Sequence, residues 1–362
     1  MLTLISLLLA VHIAPNGAQI EYRQPQLAAS AGMVAVTFGA DNSIYFSASR
    51  DRGQTFSAPV KVAEAPKLAL GRHRGPRVAI TPSAIVISAV VANAAPAHAG
   101  PGPHKHVAPT SGDLKAWRST DGGATWSGGV SINDVPASAR EGLHSMSSGG
   151  SGLVFATWLD LRSKGTRLYG ASSKDGGATW SKNVLVYESP SGTICQCCHP
   201  TAIVDSNGEI HVMWRNALEG NRDMYVAHSR DGGASFSAAT KMGAESWKLE
   251  ACPMDGGGLT MEEPHGKLVS VWRRENEVYI AKEGSREWKI ETGKDPAIAT
   301  GPGGVYVVWN SGSAVHALSP SEPKPIVLAK QGAFPQLVAV PGGPVLAAWE
   351  DKGRIMIQPV LK

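Results

Sequence analysis

The sequence predicts an all-β protein, a β-propeller, with seven blades as the expected count and six as the alternative. Three observations carry this expectation. A nine-residue segment recurs four times, as SRDRGQTFS from Ser49, STDGGATWS from Ser119, SKDGGATWS from Ser173 and SRDGGASFS from Ser229. A looser unit of roughly fifty residues recurs seven times, as it would if one four-stranded sheet were repeated round a ring. The 41 glycines and 24 prolines favour many turns over long helices.

The chain opens MLTLISLLLAVHIAPNGAQ, an apolar run from Leu2 to Val11 followed by Pro15, Gly17 and Ala18. The run is too short to span a bilayer and has the length of a signal-peptide hydrophobic region. Residues 1–18 are therefore expected to be a signal peptide cleaved near Ala18, and 19–362 the propeller, exported to the periplasm or the outside of the cell. No later segment reads as a membrane span. The net charge of +4 comes from Lys and Arg interleaved with Asp and Glu. Without a basic block to track a phosphate backbone, nucleic acid is not an expected partner.

Inner strands are placed at Pro25, Pro76, the Leu143–His144 step, Pro200, Pro253, Pro296 and Pro335. Each precedes an apolar strand that often ends in an aromatic: MVAVTF, LVFATW, EIHVMW, KLVSVW, GVYVVW and PVLAAW. The second unit, SAIVISAVV, lacks the aromatic. The nine-residue segment reads as a hairpin turn. Its Asp carboxylate accepts from nearby backbone N–H groups, its Gly takes a positive φ, and its aromatic ring anchors the turn on the sheet. The stretch IEYR, from Ile20, is expected to help close the ring against the last blade.

In such a ring the loops leading into inner strands and those joining second to third strands share one face, around the central funnel. Those positions supply Arg23, His73, Arg74, Arg77, Glu141, His144, Cys195 to His199, Cys252 and Asp295. They also supply Asp41, Asp160, Arg162, Arg215, Asn216, Arg273, Arg274 and Glu350. Blade two adds a Pro/Gly/Ala-rich insertion, Asn93 to Gly112, with His98, His104 and His106. By topology it hangs over the same face; a solvated loop with no task there is the other reading.

The nine-residue segments resemble the Asp-box, or BNR, repeat, and the chain resembles the sialidase superfamily of β-propellers, whose sialidases have six blades. YRQPQLA, from Tyr22, is similar to the arginine-x-proline motif that opens sialidase catalytic domains. On that match Arg23 is the first of three arginines that clamp a substrate carboxylate. EIHVMWRNALEGNRDMYVAHSRDGG resembles the segment delivering the second, here Arg215, and Arg273 or Arg274 in VSVWRRENEVYIA is the looser match for the third. Guanidinium groups pair bidentately with carboxylates, which suits them to this task. With Arg74 and Arg162 these are the candidate ligand-binding residues for an anionic small molecule or glycan. The alternative for each is an ion pair with a carboxylate such as Asp160, Asp223 or Glu275.

The family's catalytic groups match less well. Its Glu, which activates a tyrosine nucleophile, falls at CCHPTAIV, at or near His199, and the late inner strands open at Asp295-Pro296 and Phe334-Pro335 without a tyrosine. The resemblance thus implies the propeller and part of the clamp without sialidase activity. An enzyme built on it would be a glycoside hydrolase of exo-sialidase type.

Three of the four cysteines fall inside TICQCCHPTA, as Cys195, Cys197 and Cys198, with His199 next. Cys252 stands one residue before Pro253 as His199 stands one before Pro200, a register expected to bring the two together in neighbouring blades. Two readings stay open. Export would allow disulfides joining Cys252 to the cluster. Thiolates with imidazole would instead suit copper or zinc, with Cys195, Cys197, Cys198, His199 and Cys252 as ligands and His73, His144, Met146 or Met254 completing the shell. The expected function is an exported propeller whose remodelled upper face binds a soft metal or an anionic ligand. The alternatives are an exo-sialidase acting on acidic sugars and a scaffold that docks another exported protein.

Overall fold

The computed structural model describes residues 10–14, 20–92, 110–262, 266–322 and 324–360. They form seven antiparallel sheets in chain order, spanning 23–64, 67–131, 144–187, 201–241, 258–292, 294–329 and 333–360. Six have four strands, and the second has five because Lys67–Leu68 pairs beside Arg77–Ile80 on the same partner strand. Each inner strand touches the next, and the first, Arg23–Ser30, touches the last, Ala333–Ala339, so the ring is closed. The fold is the expected seven-bladed propeller. No helix of the described residues is long and apolar enough to cross a membrane.

The second strand of each blade lies between sheets on both sides, so it reads as a nearly continuous apolar run. Its terminal aromatic plugs the space between blades: Phe38, Trp158, Trp214 and Trp309 are wholly buried, and Trp272 and Trp349 nearly so. Removing each from water contributes on the order of 2–3 kcal/mol.

IEYR helps to close the ring on the last blade, as expected, with buried Tyr22 in one core with Leu346, Ile355 and Ile357. A segment inside the expected signal peptide does more. The outer strand of blade seven is Val11–Ile13, paired antiparallel with Ile355–Ile357 through His12↔Met356. IEYR contributes less: Tyr22 N donates to Gly353 O at 2.9 Å, and Arg23 already belongs to blade one. The rest of the expected signal peptide, 1–9 and 15–18, lies outside the described residues.

The four repeated hairpins join third to fourth strands, and the connections between blades lie at the opposite strand ends. Antiparallel alternation therefore puts the hairpins on the lower face and the cysteine segment on the upper. In each hairpin the Ser hydroxyl donates to the Asp, as from Ser119 to Asp121 Oδ1 at 2.8 Å, and the fourth amide on returns to the Ser. The glycine there is also a docking point on the preceding blade. Gly123 has φ +97°, and a Cβ on it would meet the Phe46 ring at 2.1 Å.

Six inner strands begin within two residues of the expected positions; the fifth does not. It opens at Gly258, five residues after Pro253. The chain passes so close to blade four that a Cβ on Gly256 would meet His199 O at 1.8 Å, so the entrance is made of glycine and leaves no side-chain signal.

Candidate functional site

The inner strands surround a central cavity of ≈ 120 Å³ lined by Gln26, Arg77, Ser145, Thr201, Leu259 and Gln336, with His73 and His199 at its upper end. Three blades deliver a residue there by one device. The pairing shifts register between Arg23 and Gln26, Lys294 and Ala297, and Ala333 and Gln336. In each bulge the residue before proline takes a positive φ: Gln24 at 57°, Asp295 at 54° and Phe334 at 52°. His73 and Met254 join them at 66° and 59°. Such conformations cost non-glycine residues energy and cluster at functional sites.

Asp295 and Phe334 meet at His73. Its Nε2 lies 2.8 Å from Asp295 Oδ1, its ring stacks on His199 at 4.4 Å, and the Phe334 ring edge packs on it at 5.1 Å. Asp295 N in turn donates to Asp255 Oδ2 at 2.7 Å. Burial, then the charge of Asp295, pushes Asp255 up to about 6. Burial raises Asp295 too, but the hydrogen bond and charge of His73 outweigh it and hold that carboxyl low. Burial and then the charge of His73 keep His199 neutral. Gln24 Nε2 and His199 Nδ1 are buried without a hydrogen-bond partner.

The cysteines form a second group beside the first. Cys195, Cys197 and Cys198 are all buried, with Sγ separations of 3.7 Å from Cys195 to Cys197 and 3.5 Å from Cys195 to Cys198. Hydrogen bonding with Cys197 and Cys198, with the nearby charge of Arg215, holds Cys195 well below the thiol range. Burial pushes Cys198 up to about 12, and the bond to Cys195 raises Cys197. Met254, half-buried, packs against this cluster, and Arg72 Nη1 lies 3.0 Å from its Sδ.

Not every expected residue joins this group. Cys252 is exposed, because blade five opens at Gly258 and the inward turn is made by Met254 and Asp255 instead. The three sulfurs are brought together as expected, but Cys252 is not among them. All four thiols are free in the structure. His73 and His199 belong to the carboxylate group, and His144 Nε2 lies 3.0 Å from Ser88 Oγ. His98, His104 and His106 lie outside the described residues.

The arginines are committed to the fold. Arg215, 1% exposed, donates to the carbonyls of Asp255, Arg222 and Arg273. Arg273 binds the carbonyls of Glu275 and Pro253 and the Asn276 amide. Arg74 pairs with Glu141 at 3.5 Å, and Arg162 with Asp160 at 2.9 Å and Asp134 at 3.1 Å. Arg77 is spent on four carbonyls, His73, Gly75, Pro76 and His144, and burial lowers it to about 10. Arg23 keeps 43% of its side chain exposed, beside Glu350 in a separate cleft of ≈ 410 Å³.

Asp255 and Gln24 were not anticipated. Gln24 could have been found by aligning the residue before proline in blades one, six and seven. Asp255 carries no such marker.

The BNR repeat-like domain family matches residues 39–248, more than half of the chain. No curated protein matches it as a relative. Among solved structures, an ulvan lyase of a polysaccharide lyase family superposes with a TM-score of 0.60 at 12% identity, covering 97% of this chain and 96% of its own. The α-L-arabinanase of Penicillium chrysogenum gives 0.54 at 14%, with 97% of each chain covered. A Hadza microbial sialidase gives 0.52 at 15%, covering 94% of this chain and 66% of the sialidase. At these identities the likeness is one of fold.

Proposed function

The chain belongs to the BNR repeat-like domain family, with a sialidase-like propeller fold, and we propose that it is an exported protein that holds a soft metal ion, copper(I) ahead of zinc, on the upper face of blade four. The observation that carries this reading is the trio of buried sulfurs at 3.5 and 3.7 Å. Sulfur ligands about 2.3 Å from one ion stand about 3.8 Å apart at the edges of a tetrahedron. Two edges of the Cys195, Cys197 and Cys198 triangle are close to that spacing and the third lies within 4.8 Å, and Met254, packed against the cluster, supplies the fourth ligand. An all-sulfur set favours copper(I), and zinc is the next candidate. The arrangement also suits the charge. Three thiolates around a monovalent ion carry net negative charge, and Arg215, bound only to carbonyls, places its positive charge beside Cys195 and Cys198.

The test is metal content together with thiol accessibility. Protein purified under reducing conditions and loaded with Cu(I) should bind one ion per chain and lose it in Cys198→Ser, while Cys252→Ser keeps it. Equal binding by Cys198→Ser and the unaltered chain would refute the site.

One observation favours a second reading, a hydrolase of acidic sugars: the buried pair Asp255 and Asp295, grouped with His73, which itself lines the central cavity. His199 stands in place of the family's activating Glu, and Asp295 and Phe334 open the late inner strands. We therefore expect no cleavage of a fluorogenic sialoside above a heat-killed control. Turnover abolished by Asp295→Asn would establish the second reading.

A further inference from the structure

The seam between blades four and five holds a pair of histidines that the upper face does not use. His211 in Ile210–Arg215 and His228 in Met224–Ser229 are direct cross-strand partners. Side chains two residues apart share a face of a strand, so this pair continues the row made by Met213 and Val226, both buried in the core between these two blades. The row ends near the lower face, where Ser229 begins the hairpin.

The two rings face each other through the same atom. His211 Nδ1 and His228 Nδ1 are 2.8 Å apart. The other nitrogens face carboxylates: His228 Nε2 is 2.9 Å from Glu283 Oε1, and His211 Nε2 is 3.5 Å from Asp205 Oδ2. A neutral imidazole has one N–H. Without an ion the 2.8 Å contact is a hydrogen bond from one ring to the other. A cation that takes both Nδ1 lone pairs displaces that proton, and His211 Nε2, buried with no hydrogen-bond partner, is free to receive it. Glu209 brings a third ligand atom, within 4.8 Å of one ring nitrogen of each histidine, and its other near charge is exposed Arg230, whose Nε lies 3.2 Å from Glu209 Oε1.

We propose that His211, His228 and Glu209 form a binding site for a divalent cation of the Zn²⁺ class at this seam, separate from the sulfur centre. Imidazole nitrogens and a carboxylate are the donor set such ions take, and His₂Glu leaves a fourth position for water. Metal-bound histidines usually donate their second N–H to a carboxylate, which fixes the ring and raises its basicity. Glu283 stands in that relation to His228, and Asp205 is the carboxylate nearest His211 Nε2, at 3.5 Å without a hydrogen bond. Two nitrogens about 2.0–2.1 Å from one ion stand about 3.3 Å apart, so the rings must part slightly from 2.8 Å. His228, at 19% exposure, has room to turn.

The experiment uses the full chain and two probes. Co²⁺ should give ligand-field absorption free of thiolate charge transfer, and this component should vanish in His228→Gln while any thiolate signal stays. In His211→Gln/His228→Gln the Zn²⁺ bound per chain should fall by one. Glu283→Gln keeps all three ligands and the fold, and should weaken Zn²⁺ by about 10–100-fold. Unchanged Co²⁺ and Zn²⁺ binding in His228→Gln would overturn the proposal. So would an unaltered chain whose only cobalt signal is thiolate-bound, because the rings would then share a proton alone.

Discussion

On the lower face the four hairpins repeat one set of hydrogen bonds, whereas on the upper face the blade entrances present a different residue almost every time. The lower turns satisfy their polar atoms locally. The Thr55 hydroxyl and amide and the Ser49 hydroxyl hold Asp51 down to about 2. In Asp175 burial works upward, but the bonds from Thr179 and Ser173 outweigh it and give about 2. On the upper face Asp255 rises, His199 is kept neutral, and Gln24 and His199 each leave a buried polar atom without a partner. The lower face is built for cohesion: each hairpin glycine docks on the blade before it, as Gly53 does on Leu346 and Gly177 on Val86. The upper face is held less economically, which is what the proposed binding site would require.

Arg215 offers the largest test of this contrast. Replacing it by Met strands three carbonyls in the core, so chemical denaturation should show a loss of about 3–5 kcal/mol. A loss as small as that of a surface substitution would mean that the upper face is not organised around this cation. Asp255 comes next. Its folded pKa lies above the unfolded value, so its contribution to stability is present below about pH 4 and is lost as pH rises through about 6. Between pH 4 and 7 the stability of Asp255→Asn relative to the unaltered chain should therefore shift in favour of the variant by about 2–3 kcal/mol. A pH-independent difference would place the carboxyl in an ordinary environment. The smallest effect is expected on the lower face. Asp175→Ala removes bonds from a turn open to water, so it should cost about 1 kcal/mol and leave metal binding untouched. Loss of metal in that variant would show that the two faces are coupled.

The contrast also explains what could be read in the sequence. The hairpins were legible because four copies keep the same Ser, Asp, Gly and aromatic, and the second strands because their aromatics fill the same inter-blade space. The cysteine trio was visible from spacing alone, since Cys195, Cys197 and Cys198 lie on one short loop. Cys252 misled because Cys-Pro imitates His199-Pro200, while the true entrance is marked only by glycines at a close backbone approach. The arginine clamp misled because a motif cannot show that Arg215 is already spent on three carbonyls. His211 and His228, 17 residues apart, were invisible because strand register alone makes them neighbours.

The central claim is that the three buried sulfurs of blade four surround a metal ion. X-ray absorption on the Cu(I)-loaded protein tests it most directly, because it counts the sulfur neighbours of the ion. The account predicts a first shell of three or four sulfur atoms at about 2.3 Å that collapses in Cys198→Ser. A shell of nitrogen and oxygen alone, the same in both proteins, would contradict it.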